Sequence, residues 1–229
     1  MLKKEQGILQ DLGEVGAVLR GSHFVYKADD HGSDYVNKDA VYPHVALTSR
    51  LCGELAEQFQ DDRVEVVVAP AVGGIALTRD VARHLEVIMN AKVFAVFAEK
   101  EVVAIPDPEG KGRKCFAETG DFVLNRGYRE IVHGRNVLVV EDVLNFGGSA
   151  RKVVDAVRTA GGTVVGVGAL CKRGGVTIED LDVPELVTLV DVKLDKWPEA
   201  DCPLCKAGVP INTQVGKGRE FLERRRTQA

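Results

Sequence analysis

Residues 136–149 read Asn-Val-Leu-Val-Val-Glu-Asp-Val-Leu-Asn-Phe-Gly-Gly-Ser, and this stretch decides the fold. Val137 to Val140 is an unbroken aliphatic run, typical of a strand buried on both faces of a parallel sheet. Glu141 and Asp142 then place two carboxylates where that strand is predicted to end. Gly147-Gly148-Ser149 follows, and apolar residues at 150, 153, 154 and 157 have the spacing of a helix face. The pattern predicts a strand, an acidic pair, a glycine turn and a helix.

The glycine turn is a candidate anion site. Backbone N–H groups at a helix start favour anions, and glycines let a phosphate approach the main chain closely. The neighbouring carboxylates suit hydroxyl groups or a hydrated divalent cation, so a sugar phosphate would satisfy both halves. A purely structural turn beside solvated acids is the alternative. A Walker loop is excluded because no Lys-Ser/Thr follows the last glycine, and no Gly-x-Gly-x-x-Gly opens a helix.

Composition sets the broad class of the chain. It has 229 residues, 45% hydrophobic and 28% charged, as expected of a soluble globular protein of one or two domains. A net charge of −4 argues against bulk binding to nucleic acid, and no apolar run approaches the roughly 20 residues that span a bilayer. The N-terminus lacks a signal-peptide core, and five cysteines argue against a disulfide framework. We therefore expect a cytoplasmic protein without a membrane or nucleic-acid partner.

Strands and helices alternate along the chain, which predicts a parallel sheet with crossover helices. Val64 to Ala69 is a second buried strand, followed by Pro70-Ala71-Val72-Gly73-Gly74 and a helix through Leu85, so a second anion site is predicted. The remaining predictions are helices over 1–20 and 43–59, strands over 92–98, 163–171 and 186–192, and a polar loop over 105–120.

The aliphatic run, acidic pair and Gly-Gly-Ser resemble the ribose-phosphate motif of type I phosphoribosyltransferases, which use phosphoribosyl pyrophosphate (PRPP). Further matches are to the orotate phosphoribosyltransferases. A hood pattern is matched by Gly21, Phe24, Lys27, Ser33 and Tyr35, and similar chains end in Cys-Pro-Leu-Cys, here residues 202–205. The resemblance covers roughly residues 15–210. It implies an α/β fold, with a mostly parallel twisted sheet flanked by helices and a small N-terminal hood.

The resemblance also implies an organisation and a reaction. A single domain over 1–229 would comprise a helix and hood at 1–48, the core sheet at 49–192 and a C-terminal extension at 193–229. The reaction would transfer ribose-5-phosphate from PRPP to orotate, giving orotidine 5′-monophosphate and pyrophosphate with Mg²⁺. We expect Mg²⁺ to sit mainly on substrate and water, and we name no protein ligand for it. A homodimer is expected as well.

Site residues follow from the same resemblance. Lys100, Glu141 and Asp142 are the expected catalytic residues. Expected substrate-binding residues are Lys27, Ala71, Val72, Gly73, Gly74, Asn145, Phe146, Gly147, Gly148, Ser149 and Arg173. A guanidinium suits the carboxylate of orotate by bidentate pairing. Lys111, Arg113 and Lys114 are candidates for a base on the mobile catalytic loop.

Two departures from the family pattern keep the acceptor open. Asn145-Phe146 stands where the family has Thr-Thr or Thr-Ala, and Ala28-Asp29 replaces Ser-Gly in the hood. The alternatives are a phosphoribosyltransferase for a purine or another pyrimidine, and a PRPP- or nucleotide-sensing protein without catalysis.

Cys202 and Cys205 form a Cys-x-x-Cys motif, which is half of a zinc site. No second Cys/His pair follows it, so a structural or incidental role is favoured, with metal binding and redox activity as the alternatives.

Overall fold

The computed structural model describes residues 2–26 and 29–228, with side chains from 4 to 26 and from 29 to 227. The chain divides into two compact units. One contains the residues up to Leu47 together with those from Val192 onward, and the other runs from Thr48 to Asp191. The prediction of one domain over 1–229 stays a prediction.

The described ranges contain ten strands and eight α-helices. The strands are β1 (Val18–Leu19), β2 (Phe24–Val25), β3 (His31–Gly32), β4 (Tyr35–Val36), β5 (Val66–Pro70), β6 (Phe94–Ile105), β7 (Cys115–Val123), β8 (Asn136–Leu144), β9 (Thr163–Lys172) and β10 (Leu186–Asp191). The helices are α1 (Leu2–Glu14), α2 (Val45–Gln58), α3 (Ile75–Met89), α4 (Tyr128–Val132), α5 (Gly148–Thr159), α6 (Ile178–Leu181), α7 (Pro203–Lys206) and α8 (Gly218–Gln228). No helix among them is long and apolar enough to cross a membrane.

The larger unit is built on one six-stranded sheet in the order β10-β9-β8-β5-β6-β7. Neighbouring strands are parallel except β6 and β7, which form an antiparallel pair. The connection from β5 leads to β6 on one side, whereas that from β8 leads to β9 on the other. The topology therefore switches direction between β5 and β8, and the predicted mostly parallel α/β fold is confirmed.

Burial on both faces explains why the aliphatic runs form the central strands. All five residues of β5 are buried, and Val137–Val140 of β8 are fully inaccessible. Val153, Val154 and Val157 of α5 pack against one face of the sheet. On β9, a Cβ at Gly166 would lie 2.8 Å from Phe59 Cε1, which shows how closely that strand approaches the residue just after α2.

Three boundaries differ from the sequence predictions. The first helix ends at Glu14 rather than near residue 20, because Gly16 adopts a left-handed conformation and residues 18–19 form β1. The predicted loop at 105–120 is largely an antiparallel hairpin, since β6 runs on to Ile105 and β7 begins at Cys115. Strand β8 continues to Leu144, because its pairing with β9 extends through the acidic residues.

In the smaller unit, β1 pairs with β4 and β2 pairs with β3, each antiparallel. Two isolated bridges join these strands to the C-terminal segment of the chain. His31 pairs with Trp197 through backbone hydrogen bonds of 2.8 and 2.9 Å, and His23 forms a parallel bridge with Ile211. The hood strands and the C-terminal extension therefore fold as one body.

Candidate active site

The candidate site lies along the carboxyl edge of four adjacent strands, β9, β8, β5 and β6. The register places Val68 beside Val139 and Pro70 beside Ala98, so β5, β8 and β6 end at a similar level. Glu141 pairs with Ala169, which brings the end of β9 to the same edge. Open α/β sheets bind ligands at this edge, in the crevice where the topology switches.

The loop after β5 contributes residues 71–74. The Ala71 N–H donates to the Ala98 carbonyl at 2.8 Å, which anchors the loop to β6. Gly74 is required for tight packing, since a Cβ there would lie 2.4 Å from the Ala69 Cβ. The Val72 side chain is 82% exposed and the Ala71–Val72 peptide bond is cis. The loop leads into α3 at Ile75, so the predicted strand, glycine turn and helix are present.

The loop after β8 contributes residues 145–149. Asn145, Phe146, Gly148 and Ser149 are exposed, whereas Gly147 is buried with φ +71°. A Cβ at Gly147 would lie 2.7 Å from Leu181 Cδ2, so both backbone conformation and space call for glycine. Helix α5 begins at Gly148, which directs its first backbone N–H groups toward this loop. The arrangement matches a helix N-terminal anion site.

The acidic pair, Glu141 and Asp142, is buried near the carboxyl end of strand β8. Glu141 is 8% exposed and Asp142 is 4% exposed. The Val143 N–H donates to Asp142 Oδ1 at 2.7 Å, which fixes that carboxylate against its own strand. Both residues lie on β8 just before the loop at 145–149, and β8 pairs with β5, which leads into the loop at 71–74.

Lys100 extends β6 beyond its parallel segment, two residues after Ala98. Its Nζ lies 2.6 Å from Glu118 Oε2 on β7, and both side chains are about half exposed. A second ion pair joins Arg126 to Glu99, the residue before Lys100, at 2.7 Å. The hydrogen bond from Arg126 lowers the pKa of Glu99. The sequence does not reveal Glu118, because the polar residues around it predict a loop rather than the strand β7.

Arg173 follows the end of β9 and lies beside the loop after β8. Its backbone N–H donates to the Leu144 carbonyl at 2.8 Å. Gly174 then adopts φ +88°, and a Cβ there would lie 2.7 Å from the Asn145 carbonyl oxygen. The loop after β9 thus contacts the loop after β8, which places Arg173 next to Asn145 along the sheet edge.

The hairpin turn at 106–114 holds the three basic candidates for the mobile loop. Lys111 Nζ lies 2.7 Å from Glu109, and the Arg113 guanidinium also bonds Glu109. The Asp107 carboxylate accepts from the backbone of Glu109 and Arg113, and the latter bond contributes most to lowering the pKa of Asp107. This turn is organised by its own acidic residues.

Of the predicted site residues, Lys27 lies outside the described residues. The other residues expected to be catalytic or to bind substrate lie in the larger unit, on β6 and β8, in the loops after β5, β8 and β9, or at the start of α5. A cleft of about 430 Å³ between β7 and α5, lined by residues such as Phe122, Lys152 and Ala156, contains none of them.

The chain is similar to known proteins over most of its length. The phosphoribosyl transferase domain family matches residues 40–200. An orotate phosphoribosyltransferase of Pelotomaculum thermopropionicum is 38% identical over 197 residues, covering 86% of this chain and 90% of its own. One from Caldicellulosiruptor bescii is 32% identical over 203 residues, covering 89% and 93%.

A solved orotate phosphoribosyltransferase from Aeropyrum pernix superposes with a TM-score of 0.56 at 25% identity, covering 81% of this chain and 93% of its own. The glycine-turn helices on a parallel sheet and these matches define the class. The chain belongs to the phosphoribosyl transferase domain family.

Proposed function

We propose that this protein is an orotate phosphoribosyltransferase. It transfers ribose-5-phosphate from PRPP to orotate and releases pyrophosphate. The observation that carries the proposal is the pair of strand, glycine-turn and helix units on adjacent strands β5 and β8, with the buried carboxylates of Glu141 and Asp142 near the carboxyl end of β8. Two anion loops and a pair of carboxylates suit a sugar that bears a phosphate at one end and a pyrophosphate at the other.

The roles divide along the sheet edge. Gly147, Gly148 and Ser149 hold the 5′-phosphate through the N-terminal N–H groups of α5. The loop at Ala71–Gly74 and Lys100 stabilise the departing pyrophosphate. Bond breaking at the anomeric carbon develops positive charge on the sugar, and the carboxylates of Glu141 and Asp142 stabilise that charge.

The residues at this edge also fit Mg²⁺. The donors available beside the phosphate loops are carboxylate oxygens, the ligand type that Mg²⁺ prefers, and Mg²⁺ usually retains several waters. Glu141 and Asp142 would hold the ion through water and through substrate hydroxyls. When bound, it supplies neutralising charge to the pyrophosphate.

Orotate as acceptor is supported by the relatives named above and by Arg173. The backbone of Arg173 lies next to the loop that contains Asn145, and we assign its guanidinium to the base. A guanidinium pairs with a carboxylate through two parallel hydrogen bonds, and orotate carries a carboxylate that the other common nucleobases lack.

The test is to incubate the protein with PRPP, Mg²⁺ and one base at a time, and to measure pyrophosphate release. Release with orotate and with no other base is the expected result. Arg173→Lys keeps the charge but loses the planar fork, so it should raise KM for orotate while leaving that for PRPP nearly unchanged. Release with adenine or uracil in place of orotate would contradict the proposal.

The second candidate function is transfer to a different base, and Asn145 and Phe146 are the residues that favour it. Both are exposed at the phosphate loop, and Phe146 is 80% exposed. An aromatic ring and an amide provide stacking and hydrogen bonds that a Thr-Thr sequence lacks. Asn145→Thr with Phe146→Thr restores the family pattern, and a changed base preference in this variant would support the second candidate.

A sensor without catalysis makes a different prediction. PRPP would bind, measurable by calorimetry, and no base would give pyrophosphate. The proposed homodimer is tested separately by native mass spectrometry, which should give twice the 24.8 kDa chain mass.

A further inference from the structure

Four potential metal ligands meet inside the smaller unit, and none of them is among the predicted catalytic or substrate-binding residues. They are His23, His31, Cys202 and Cys205, and their ligand atoms all lie within 4.8 Å of one another. The first three are buried, and Cys205 is partly buried. In the part of the chain that the structure describes, this is the one such group that contains histidine and cysteine.

The distances between the ligand atoms suit one small ion. His23 Nε2 lies 2.8 Å from His31 Nδ1 and 3.6 Å from Cys202 Sγ. Cys205 Sγ lies 3.2 Å from His31 Nδ1 and 3.7 Å from His23 Nε2. A tetrahedral zinc ion with ordinary bond lengths separates nitrogen from sulfur by roughly 3.6 Å and two nitrogens by roughly 3.3 Å. Small shifts of the rings would give a regular site.

Hydrogen bonding prepares His23 to be a ligand. Its Nδ1 lies 2.7 Å from the Val209 carbonyl oxygen, which can only accept, so the proton is on Nδ1. The lone pair of Nε2 therefore points toward the cluster. A ligating histidine is commonly oriented by such a bond to a carbonyl. His31 packs its ring edge-on against Phe221 at 5.2 Å instead.

The backbone holds the four residues in place from both ends of the chain. His31 is paired with Trp197, and the Asn212 N–H donates to the His23 carbonyl at 2.7 Å. Cys202 and Cys205 lie on one helical turn, in which the Lys206 N–H donates to the Cys202 carbonyl at 3.2 Å. The Cys-x-x-Cys spacing thus directs both thiols to one side.

We propose that His23, His31, Cys202 and Cys205 bind a structural zinc ion that cross-links the hood to the C-terminal extension. Two imidazoles and two thiolates are a common donor set for tetrahedral zinc, and four protein ligands leave no open position for catalysis. Two thiolates balance the charge of Zn²⁺, so the ion is buried without net charge. A redox role for the cysteines would leave the two converging imidazoles without a purpose.

Zinc content measured by mass spectrometry, on protein purified without chelator, should be one ion per chain. Cys205→Ala should lower it to near zero. Cys115→Ala is the matched control, because Cys115 is also partly buried but lies in the hairpin of the other unit, and it should keep one ion. Protein without zinc, or equal loss in both variants, would overturn the proposal.

Cobalt substitution of the unmodified chain guards against a variant that fails to fold. Tetrahedral cobalt with two thiolates should give intense visible bands and thiolate charge-transfer absorption in the near ultraviolet. A weak octahedral spectrum would also overturn the proposal. Neither measurement depends on PRPP or on a base, so the zinc site and the proposed function stand or fall separately.

Discussion

Gly147 is the residue with the least freedom to change at the phosphate loop. It combines φ +71° with a backbone position where a Cβ would lie 2.7 Å from Leu181 Cδ2. Gly148, its neighbour, has neither constraint, because its φ is not positive and a Cβ there would meet nothing within 4 Å. Two adjacent glycines of one motif therefore serve different purposes.

We predict that Gly147→Ala destabilises the protein by about 1–3 kcal/mol, the usual cost of a strained backbone conformation. Gly148→Ala should change the free energy of unfolding by well under half of that. Urea unfolding followed by circular dichroism measures both. Equal stabilities for the two variants would show that the Gly147 conformation is not strained by a side chain.

Asp142 supplies charge rather than packing. Replacing it by Asn keeps the shape and the acceptor for the Val143 N–H but removes the negative charge. We predict that Asp142→Asn lowers kcat for pyrophosphate release by about a hundredfold, the size of one electrostatic contribution to a transition state. Asp155→Asn on α5, a side chain that is 52% exposed, is the control and should keep full activity. An unchanged rate in Asp142→Asn would remove this carboxylate from the mechanism.

Among the elements, the β6–β7 hairpin carries Lys100, an expected site residue that forms a surface ion pair with Glu118. Lys100 and Glu118 are 53% and 54% exposed, so their pairing contributes less than about 1 kcal/mol. The lysine is held near its expected ligand by a weak contact that it can exchange for pyrophosphate.

We predict that Lys100→Met lowers kcat/KM for PRPP by roughly ten- to a hundredfold, the loss of one hydrogen bond to a charged group. Lys92→Met, before the opposite end of the same strand, should leave it unchanged. Glu118→Gln should shift the melting temperature by no more than about 3 °C. Steady-state kinetics and thermal melts test these expectations, and full activity in Lys100→Met would exclude the assigned role.

The elements that the sequence predicts are the strands buried on both faces and the helices with one apolar face. Two such strand segments are aliphatic because the sheet and its helices cover them completely, namely Val66–Ala69 and Val137–Val140. An unbroken aliphatic run is therefore enough to predict each of them as a strand. The hairpin was missed because β7 is mostly exposed and its polar residues resemble a loop. Strand β7 forms by pairing with β6, and the residues of β7 alone carry no sign of that pairing.

The histidine–cysteine cluster was missed for a related reason. A zinc site is usually recognised by a second Cys/His pair a short distance after the first, whereas here the second pair comes from the hood, with His31 174 positions before Cys205. The available signal was two of the chain's five histidines, eight positions apart in a short segment. Only the pairing of the hood with residues 197–212 brings them to the cysteines.

For the whole molecule, the zinc proposal predicts selective loosening of one unit. Removing metal with a strong chelator should speed amide hydrogen exchange in β2, β3 and residues 197–212, because the cross-link is lost there. Exchange in β5 and β8 should stay slow, since their hydrogen bonds lie in the other unit. Uniform acceleration across both units would show that the chelator acts on global stability instead.

The order of the ligands along the chain has a consequence for biosynthesis. His31 leaves the ribosome 174 residues before Cys205, which at ordinary elongation rates is a delay of roughly 10–35 s. The whole sheet from β5 to β10 is translated in that interval. It can therefore fold before the hood can pair with residues 197–212. Metal loading would then be a late step of maturation, and limited zinc in growing cells would yield chains with a finished sheet and an incomplete hood.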